Sequence, residues 1–295
     1  MENDAQHETP VSWQQDFANL TKIRLNTFVL ATSFFGYFLA SREYGWNWMT
    51  FIHTLIGTAS AAFGSAALNQ LMEIDQDARM KRTADRPLPS KRLDVVAAFL
   101  IGTGLSAFGL VHLSVTVGPT SCILAALTLI SYVFIYTPMK RWHSSNTLVG
   151  AIPGAIPPLI GWAATGAPLT APAWFLFTLM IFWQLPHFVA INWLCREEYE
   201  SAGYKMWSNG DLSGKRSARI AAFFSLCLTV VTLWPAIAEK MHLFGAIALI
   251  IPSIYMCYKS WKFMSDPTRE TARSLFLFTL LYLLISFTLI CLFWR

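Results

Sequence analysis

The 295 residues carry 13% charged and 55% hydrophobic side chains at a mean hydropathy of +0.45, whereas an ordinary soluble domain is about 25% charged. That balance excludes a soluble globule, and also a disordered chain, which needs low hydrophobicity and high charge. The net charge of +5 suits either a nucleic-acid partner or the basic loops that membrane proteins keep on one side, and its distribution decides for the second.

In chain order, residues 1–19 read as a cytoplasmic tail, mobile over the first fifteen; with Glu2, Asp4 and Glu8 and no basic opening, the segment lacks the pattern of a cleaved signal peptide. Residues 20–295 then read as one all-α transmembrane domain. Nine apolar runs are long enough to cross a bilayer: 25–41, 48–71, 95–113, 119–136, 148–165, 172–195, 218–238, 242–258 and 274–294. Alternate connections hold nineteen Lys and Arg on one side; only Arg42, Lys240 and Arg295 fall on the other. Since one missed helix would invert every later loop, this asymmetry supports nine spans with the N-terminus cytoplasmic. The five cysteines lie in or at the ends of the apolar runs without CxxC spacing, so they read as packing residues.

The end of the second span, NQLMEIDQDARMKRTADRPLPS from Asn69 to Ser90, carries the most chemistry. Asn69, Glu73 and Asp77 recur every four residues and on a continuous helix drift by only about 40° per step, sharing one face, while Asp75 points away. Oxygen ligands converging at the mouth of a membrane bundle suit a hard cation such as Mg²⁺. Arg79, Lys81, Arg82 and Arg86 follow immediately, donors fit for the phosphate oxygens such a metal leaves free. An acidic-basic stretch also reads as a solvated loop carrying only topology; against that, the carboxylates begin inside the apolar run.

These residues carry a family resemblance. The segment is similar to the first aspartate-rich motif, NxxxDxxxD, of the intramembrane prenyltransferases of the UbiA superfamily, with Glu73 standing where aspartate is usual. RTADRPLPS, the opening LTKIRLNTFVLATSFFGYFLAS, YTPMKR with NTLVGAIPGAIPPLIGWAATG, and WQLPHFVAINWLCREEYESAGYKM resemble that superfamily's heme O synthase branch. Together they span about residues 20–207; the last three spans match only in being hydrophobic. The resemblance implies a UbiA-type bundle and transfer of a farnesyl group from farnesyl diphosphate to a vinyl group of heme B, giving heme O.

It also implies residue roles. Asn69, Glu73, Asp77 and Glu198 would hold Mg²⁺, with Glu198 replacing the usual second aspartate-rich motif, as the branch does. Arg82, Arg86, Tyr136 and Lys140 would stabilise the departing diphosphate, Tyr136 and Lys140 forming a YxxxK pattern. His187, inside the sixth span after Pro186, reads as a core histidine or as a residue that positions or ligates heme; His53, His112 and His143 are less well placed. Trp162, Trp183, Phe188 and Trp193 read as core packing or as the walls of a prenyl tunnel. Gly150, Pro153, Gly154, Pro157, Pro158 and Gly161 make the fifth span look broken, tolerated where a cavity or neighbours satisfy the backbone. The implied partners are heme, an isoprenoid diphosphate, the bilayer, and an enzyme that uses heme O or a terminal oxidase, with no nucleic acid. The implied location is a bacterial cytoplasmic membrane or a mitochondrial inner membrane. The rival readings are a UbiA-type enzyme with another acceptor, such as hydroxybenzoate or a chlorophyllide, a heme carrier, and a transporter.

Overall fold

The computed structural model describes residues 11–295. Helix starts are written locally. Ser12 and Gln15 form a reciprocal cap on α1 (Trp13–Leu20), Asn47 caps α3 (Trp48–Met72) and Asp94 caps α5 (Val95–Thr116), each side chain satisfying N–H groups that the first helical turn leaves without partners. Between α1 and α3 runs α2 (Ile23–Tyr44), ended by Gly45 at φ +88°. A short α4 (Ile74–Arg79) follows α3.

The fourth span, Pro119–Trp142, is three pieces in line: α6 (Pro119–Ile130), a π-helical turn at Ser131–Tyr136, and α7 (Thr137–Trp142). The fifth is broken, as the proline content predicts. Pro157 has no N–H to continue the ladder, and α8 (Asn146–Ala155) gives way to α9 (Pro157–Ala164) at Ile156. Next come α10 (Ala171–Leu194), the short α11 (Arg196–Ser201), α12 (Lys215–Val231), the single turn α13 (Trp234–Ile237), α14 (Leu243–Ser265) and α15 (Arg269–Phe293). Among the described residues nine helices are long and apolar enough to span a bilayer, matching the nine expected runs. The last two extend further into the basic end than hydropathy alone suggests: α14 runs on to Ser265, and α15 starts where Thr268 caps it.

Side chains too apolar for water cover the outside, Val111, Val115, Phe244 and Leu292 among them, as a lipid-facing band requires. Inside, small residues bring backbones together. A Cβ on Gly57 would meet Leu113 and one on Gly109 the backbone of Ala61, joining α3 to α5; Gly36 and Gly161 lie against the backbones of Pro158 and Ser33, joining α2 to α9. With lipid outside as apolar as the interior, close packing of this kind carries helix association.

From Trp13 onward the segment expected as a tail is helix α1, pinned to the basic end: Arg92 donates to both Asp16 carboxylate oxygens at 3.0–3.1 Å, and Gln70 Nε2 donates to the carbonyls of Asn19 and Leu20 at 2.6 and 3.0 Å. Residues 1–10 lie outside the described residues. The five cysteines are free thiols.

Candidate active site

The expected single acidic face is interrupted. Helix α3 stops at Met72, and Glu73 sits at φ −114°, ψ 14° as the joint with α4. The carbonyl of Met72, freed by that break, accepts from Arg141 Nη2, which also donates to Gln76 Oε1 at 2.9 Å. The Asp77 N–H bonds back to the Glu73 carbonyl at 2.8 Å, so Asp77 remains on the inner side although the helix is discontinuous. Glu73 and Asp77 are 3% and 1% exposed; Asp75 faces outward.

Each buried acid has its cation. Lys140 Nζ lies 2.7 Å from Glu73 Oε1, and Arg86 Nη1 lies 2.6 Å from Asp77 Oδ2. Asn69 Nδ2 donates to Glu73 Oε2 at 3.0 Å and to Thr137 Oγ1 at 2.9 Å, while its Oδ1 accepts from Lys22 Nζ at 2.5 Å. Burial works to raise the Glu73 pKa, but the attraction of Lys140 and then Lys22 outweighs it and holds the carboxyl below its ordinary value. Lys22, by burial first and Arg86 second, is pushed down to about 7, so it gains from any anion brought beside it. Its backbone adopts φ +50°, an uncommon conformation for a side chain of this size, and that turn delivers the ammonium to Asn69. Sequence reasoning counted Lys22 only as a topology charge.

The π turn has a matching role. Such turns add a residue to the helix and are frequent at functional sites. Here it precedes Thr137 and Lys140, and Tyr132 and Tyr136 both line the cavity below them. The Lys140 ammonium stands 4.7 Å from the Tyr136 ring centre and 5.5 Å from that of Tyr204. Tyr204, 2% exposed, keeps its hydroxyl beside Glu73 without a hydrogen bond of acceptable geometry, a donor that the sequence reading did not single out.

Over this cluster folds the connection after α4. Thr83 Oγ1 donates to the Asp77 carbonyl at 2.9 Å, and Met80 packs with Ala202, Tyr204 and Met206. Glu198, on α11, accepts from the Arg82 backbone N–H at 3.3 Å, and the Arg82 guanidinium reaches the Tyr199 hydroxyl at 3.3 Å. Arg82 and Glu198 thus meet at the rim, while Asn69, Glu73, Asp77, Arg86, Tyr136 and Lys140 gather inside. Among the described residues no three carboxylate, imidazole or thiol groups converge as a ready metal set. The donors at hand, an amide oxygen and buried carboxylates with no sulfur or imidazole, nevertheless suit a hard oxygen-seeking cation.

Beneath the cluster lies a cavity of about 250 Å³ whose only charged lining residue, among the described residues, is Lys140. Its α3 wall is small: Thr58, Ala61, Ala62, Ser65 and Ala66, a row about 12 Å long at 1.5 Å per residue. The broken fifth span supplies Gly150, Pro153, Gly154 and Pro157, and α10 supplies Gln184 and Phe188. Of the four aromatics expected near a tunnel, Phe188 alone lines it. The three tryptophans are core residues, their indole N–H groups satisfied by the carbonyls of Pro168, Thr279 and Asp211. His187 turns toward α15: Nδ1 is 2.8 Å from Thr279 Oγ1, and the ring stacks on Trp183 and Phe276. His53 and His112 contact each other at 3.1 Å, far along α3 from Asn69.

A cluster of cations and acids above a largely apolar pocket suits an amphiphile with a polyanionic head. A profile of the UbiA prenyltransferase family matches residues 29–285. The protoheme IX farnesyltransferase of Solibacter usitatus (strain Ellin6076) is 39% identical over 281 residues, covering 91% of this chain and 95% of the relative. The mitochondrial protoheme IX farnesyltransferase of Arabidopsis thaliana is 36% identical over 267 residues, 90% of this chain and 61% of the relative. Among solved structures, a digeranylgeranylglyceryl phosphate synthase superposes with a TM-score of 0.78 at 16% identity, over 95% of this chain and 97% of that one. A UbiA homolog from Archaeoglobus fulgidus bound to GPP and Mg²⁺ superposes at 0.65 with 13% identity, over 93% and 99%.

Proposed function

The chain belongs to the UbiA prenyltransferase family, and from that footing we propose that it transfers the farnesyl group of farnesyl diphosphate to a vinyl carbon of heme B, producing heme O. The observation that carries this reading is the identity to protoheme IX farnesyltransferases sustained over nine-tenths of the chain. The basic end faces the cytoplasm, or the matrix in a mitochondrion, and the substrates reach the mouth from there and from the bilayer.

The farnesyl chain lies in the apolar cavity and the diphosphate at the mouth. Lys22, which donates to the Asn69 amide oxygen, and Arg86 and Lys140, which pair with Asp77 and Glu73, meet the diphosphate charge there, with Arg82 at the rim. Asn69, Glu73 and Asp77, with Glu198 from α11, would hold Mg²⁺, which when bound supplies further positive charge to the leaving group. Donors already in place cost no reorganisation as charge builds on the bridging oxygen, and Lys140 is so placed by Glu73 and the two tyrosine rings. When the allylic carbon–oxygen bond breaks, the rings of Tyr132, Tyr136 and Phe188 offer π faces to the carbocation, and the largely apolar lining of the cavity limits the water that can reach it. The vinyl carbon attacks, and one water then supplies the hydroxyl of the product and releases a proton.

The test is to incubate membranes containing the protein with heme B, farnesyl diphosphate and Mg²⁺, with and without chelator, and to weigh the extracted heme. A Mg²⁺-dependent gain of one farnesyl group and one water is expected; unaltered heme from folded protein rejects the reading. The cavity wall makes a second prediction. Ala62→Phe is expected to reduce use of farnesyl diphosphate at least about tenfold relative to geranyl diphosphate, because filling a packed wall by several carbons costs about 1–3 kcal/mol for the longer chain. An unaltered preference, read from product masses in a mixed-substrate assay, would place the prenyl chain elsewhere.

A further inference from the structure

Beside the mouth, at the same end of the bundle, is a second cavity of about 490 Å³ walled by Trp142, His143, Lys205, Trp207 and Arg216, among others. Among the described residues no carboxylate lines it. At the mouth Lys140 and Arg86 are each paired with an acid, whereas among the described residues Lys205 and Arg216, like Lys22 and Arg82, take part in no ion pair. Arg216 is steadied by one N–H donated to the Asn209 carbonyl, leaving the rest of its fork free. His143 Nδ1 accepts from the Ser145 N–H at 3.0 Å, so the neutral ring carries its proton on Nε2, a donor and not a free metal ligand. Trp142 is 76% exposed, and Trp207 is held flat by stacking on Phe224 at 6.0 Å and 10°.

This cavity is coupled to the reaction centre through the backbone. The Lys205 N–H donates to the Lys140 carbonyl at 2.6 Å, and Asn146 Nδ2 donates to the Lys205 carbonyl at 2.6 Å. Tyr204 faces the Lys140 ammonium, and the next residue, Lys205, lines the second cavity. Consecutive residues therefore touch the Lys140 site on one side and the second cavity on the other. The chemistry asked for is a flat apolar body carrying two separate anions, within reach of Lys140.

We propose that this cavity anchors the acceptor: Lys205 and Arg216 each bind one carboxylate of a dicarboxylate tetrapyrrole, His143 adds a hydrogen bond, and Trp142 and Trp207 lie along the ring. The proposal rests on the farnesyl-transfer reading, and it fixes which edge of the porphyrin faces away from the mouth. A phospholipid headgroup shares the anionic chemistry but has no planar body for the two indoles to cover.

The test uses the full chain in phosphatidylcholine nanodiscs, titrated with heme B and with heme B dimethyl ester, binding being read from tryptophan quenching and the Soret band. In the variant K205Q/R216Q the Kd for heme B is expected to rise at least about tenfold, or about 1.4 kcal/mol. The ester should bind wild type and variant equally weakly, K205R/R216K should restore heme B binding, and farnesyl diphosphate binding should be unaltered. Equal heme B affinity in wild type and K205Q/R216Q overturns the proposal, as does an equal loss for heme B and its ester, which indicates damage to the fold. So does a wild-type advantage that vanishes when phosphatidylglycerol is added to the disc, which assigns the cavity to a lipid headgroup. Carboxylate-dependent binding of heme that is nevertheless recovered unmodified after incubation with farnesyl diphosphate and Mg²⁺ supports the anchor and rejects farnesyl transfer to heme; transfer without carboxylate dependence rejects the anchor alone.

Discussion

Asp77→Asn is expected to lower farnesyl transfer by about 10²–10³, the loss typical when one preorganised electrostatic group is removed from a site. The substitution keeps the shape of a side chain that is 1% exposed and removes only its charge. Losing half of a buried ion pair costs about 3–5 kcal/mol when the remaining charge is trapped, but the Arg86 side chain is 24% exposed and can turn to water, so most of that penalty is avoided. The Thr83 bond to the Asp77 carbonyl is untouched. The variant should therefore insert and fold in normal amount while its turnover, measured from the mass of extracted heme, collapses. Asp75→Asn, two residues away and exposed, serves as the control and should leave turnover close to wild type. Activity in Asp77→Asn above a tenth of wild type would remove Asp77 from the machinery.

Gly161→Val is expected to abolish the folded bundle. The first atom added at Gly161 meets the backbone carbonyl of Ser33 and the backbone N of Tyr37, and on the same seam Gly36 faces the backbone of Pro158. Backbone has no alternative rotamer, so relief requires α2 and α9 to move apart, and overpacking of this kind costs about 1–3 kcal/mol or more. Pro157 and Ile160, on the strained segment, are also walls of the cavity beneath the cluster, so any protein that does fold should have an altered pocket. Gly104, where an added Cβ meets nothing within 4 Å, provides the contrast: Gly104→Val should be tolerated. The yield of monodisperse protein in mild detergent and its thermal aggregation midpoint check both. Wild-type behaviour of Gly161→Val would show that the α2–α9 seam is looser than its geometry states.

Much of this was legible beforehand because membrane insertion leaves coarse marks. A run of apolar residues long enough to span must be a helix, since lipid offers no partner for backbone groups, and the alternation of basic connections ordered the nine spans without any contact information. Acids spaced by four, followed by arginines, marked the mouth because charge placed inside an apolar run is costly and points to a candidate site. The break at Glu73 was not legible. It depends on Lys140, sixty-seven residues away, drawing the carboxylate, and on Arg141 taking the carbonyl that the break frees.

The sequence by itself determined the class of the protein: an all-helical membrane bundle of nine spans, with Asn69, Glu73, Asp77, Arg86, Tyr136 and Lys140 all toward its basic end. Tertiary structure alone decided which acid meets which cation, that Lys22 from the start of α2 joins them, that His187 faces α15, and that Tyr204 stands beside Lys140 while Lys205 lines a second cavity. The division has a physical cause. Hydropathy, helical period and topology charge act over neighbouring residues, whereas ion pairing and cavity shape arise between helices whose close approach is set by Gly36, Gly161 and the small residues of α3, positions that in sequence look like any other apolar stretch.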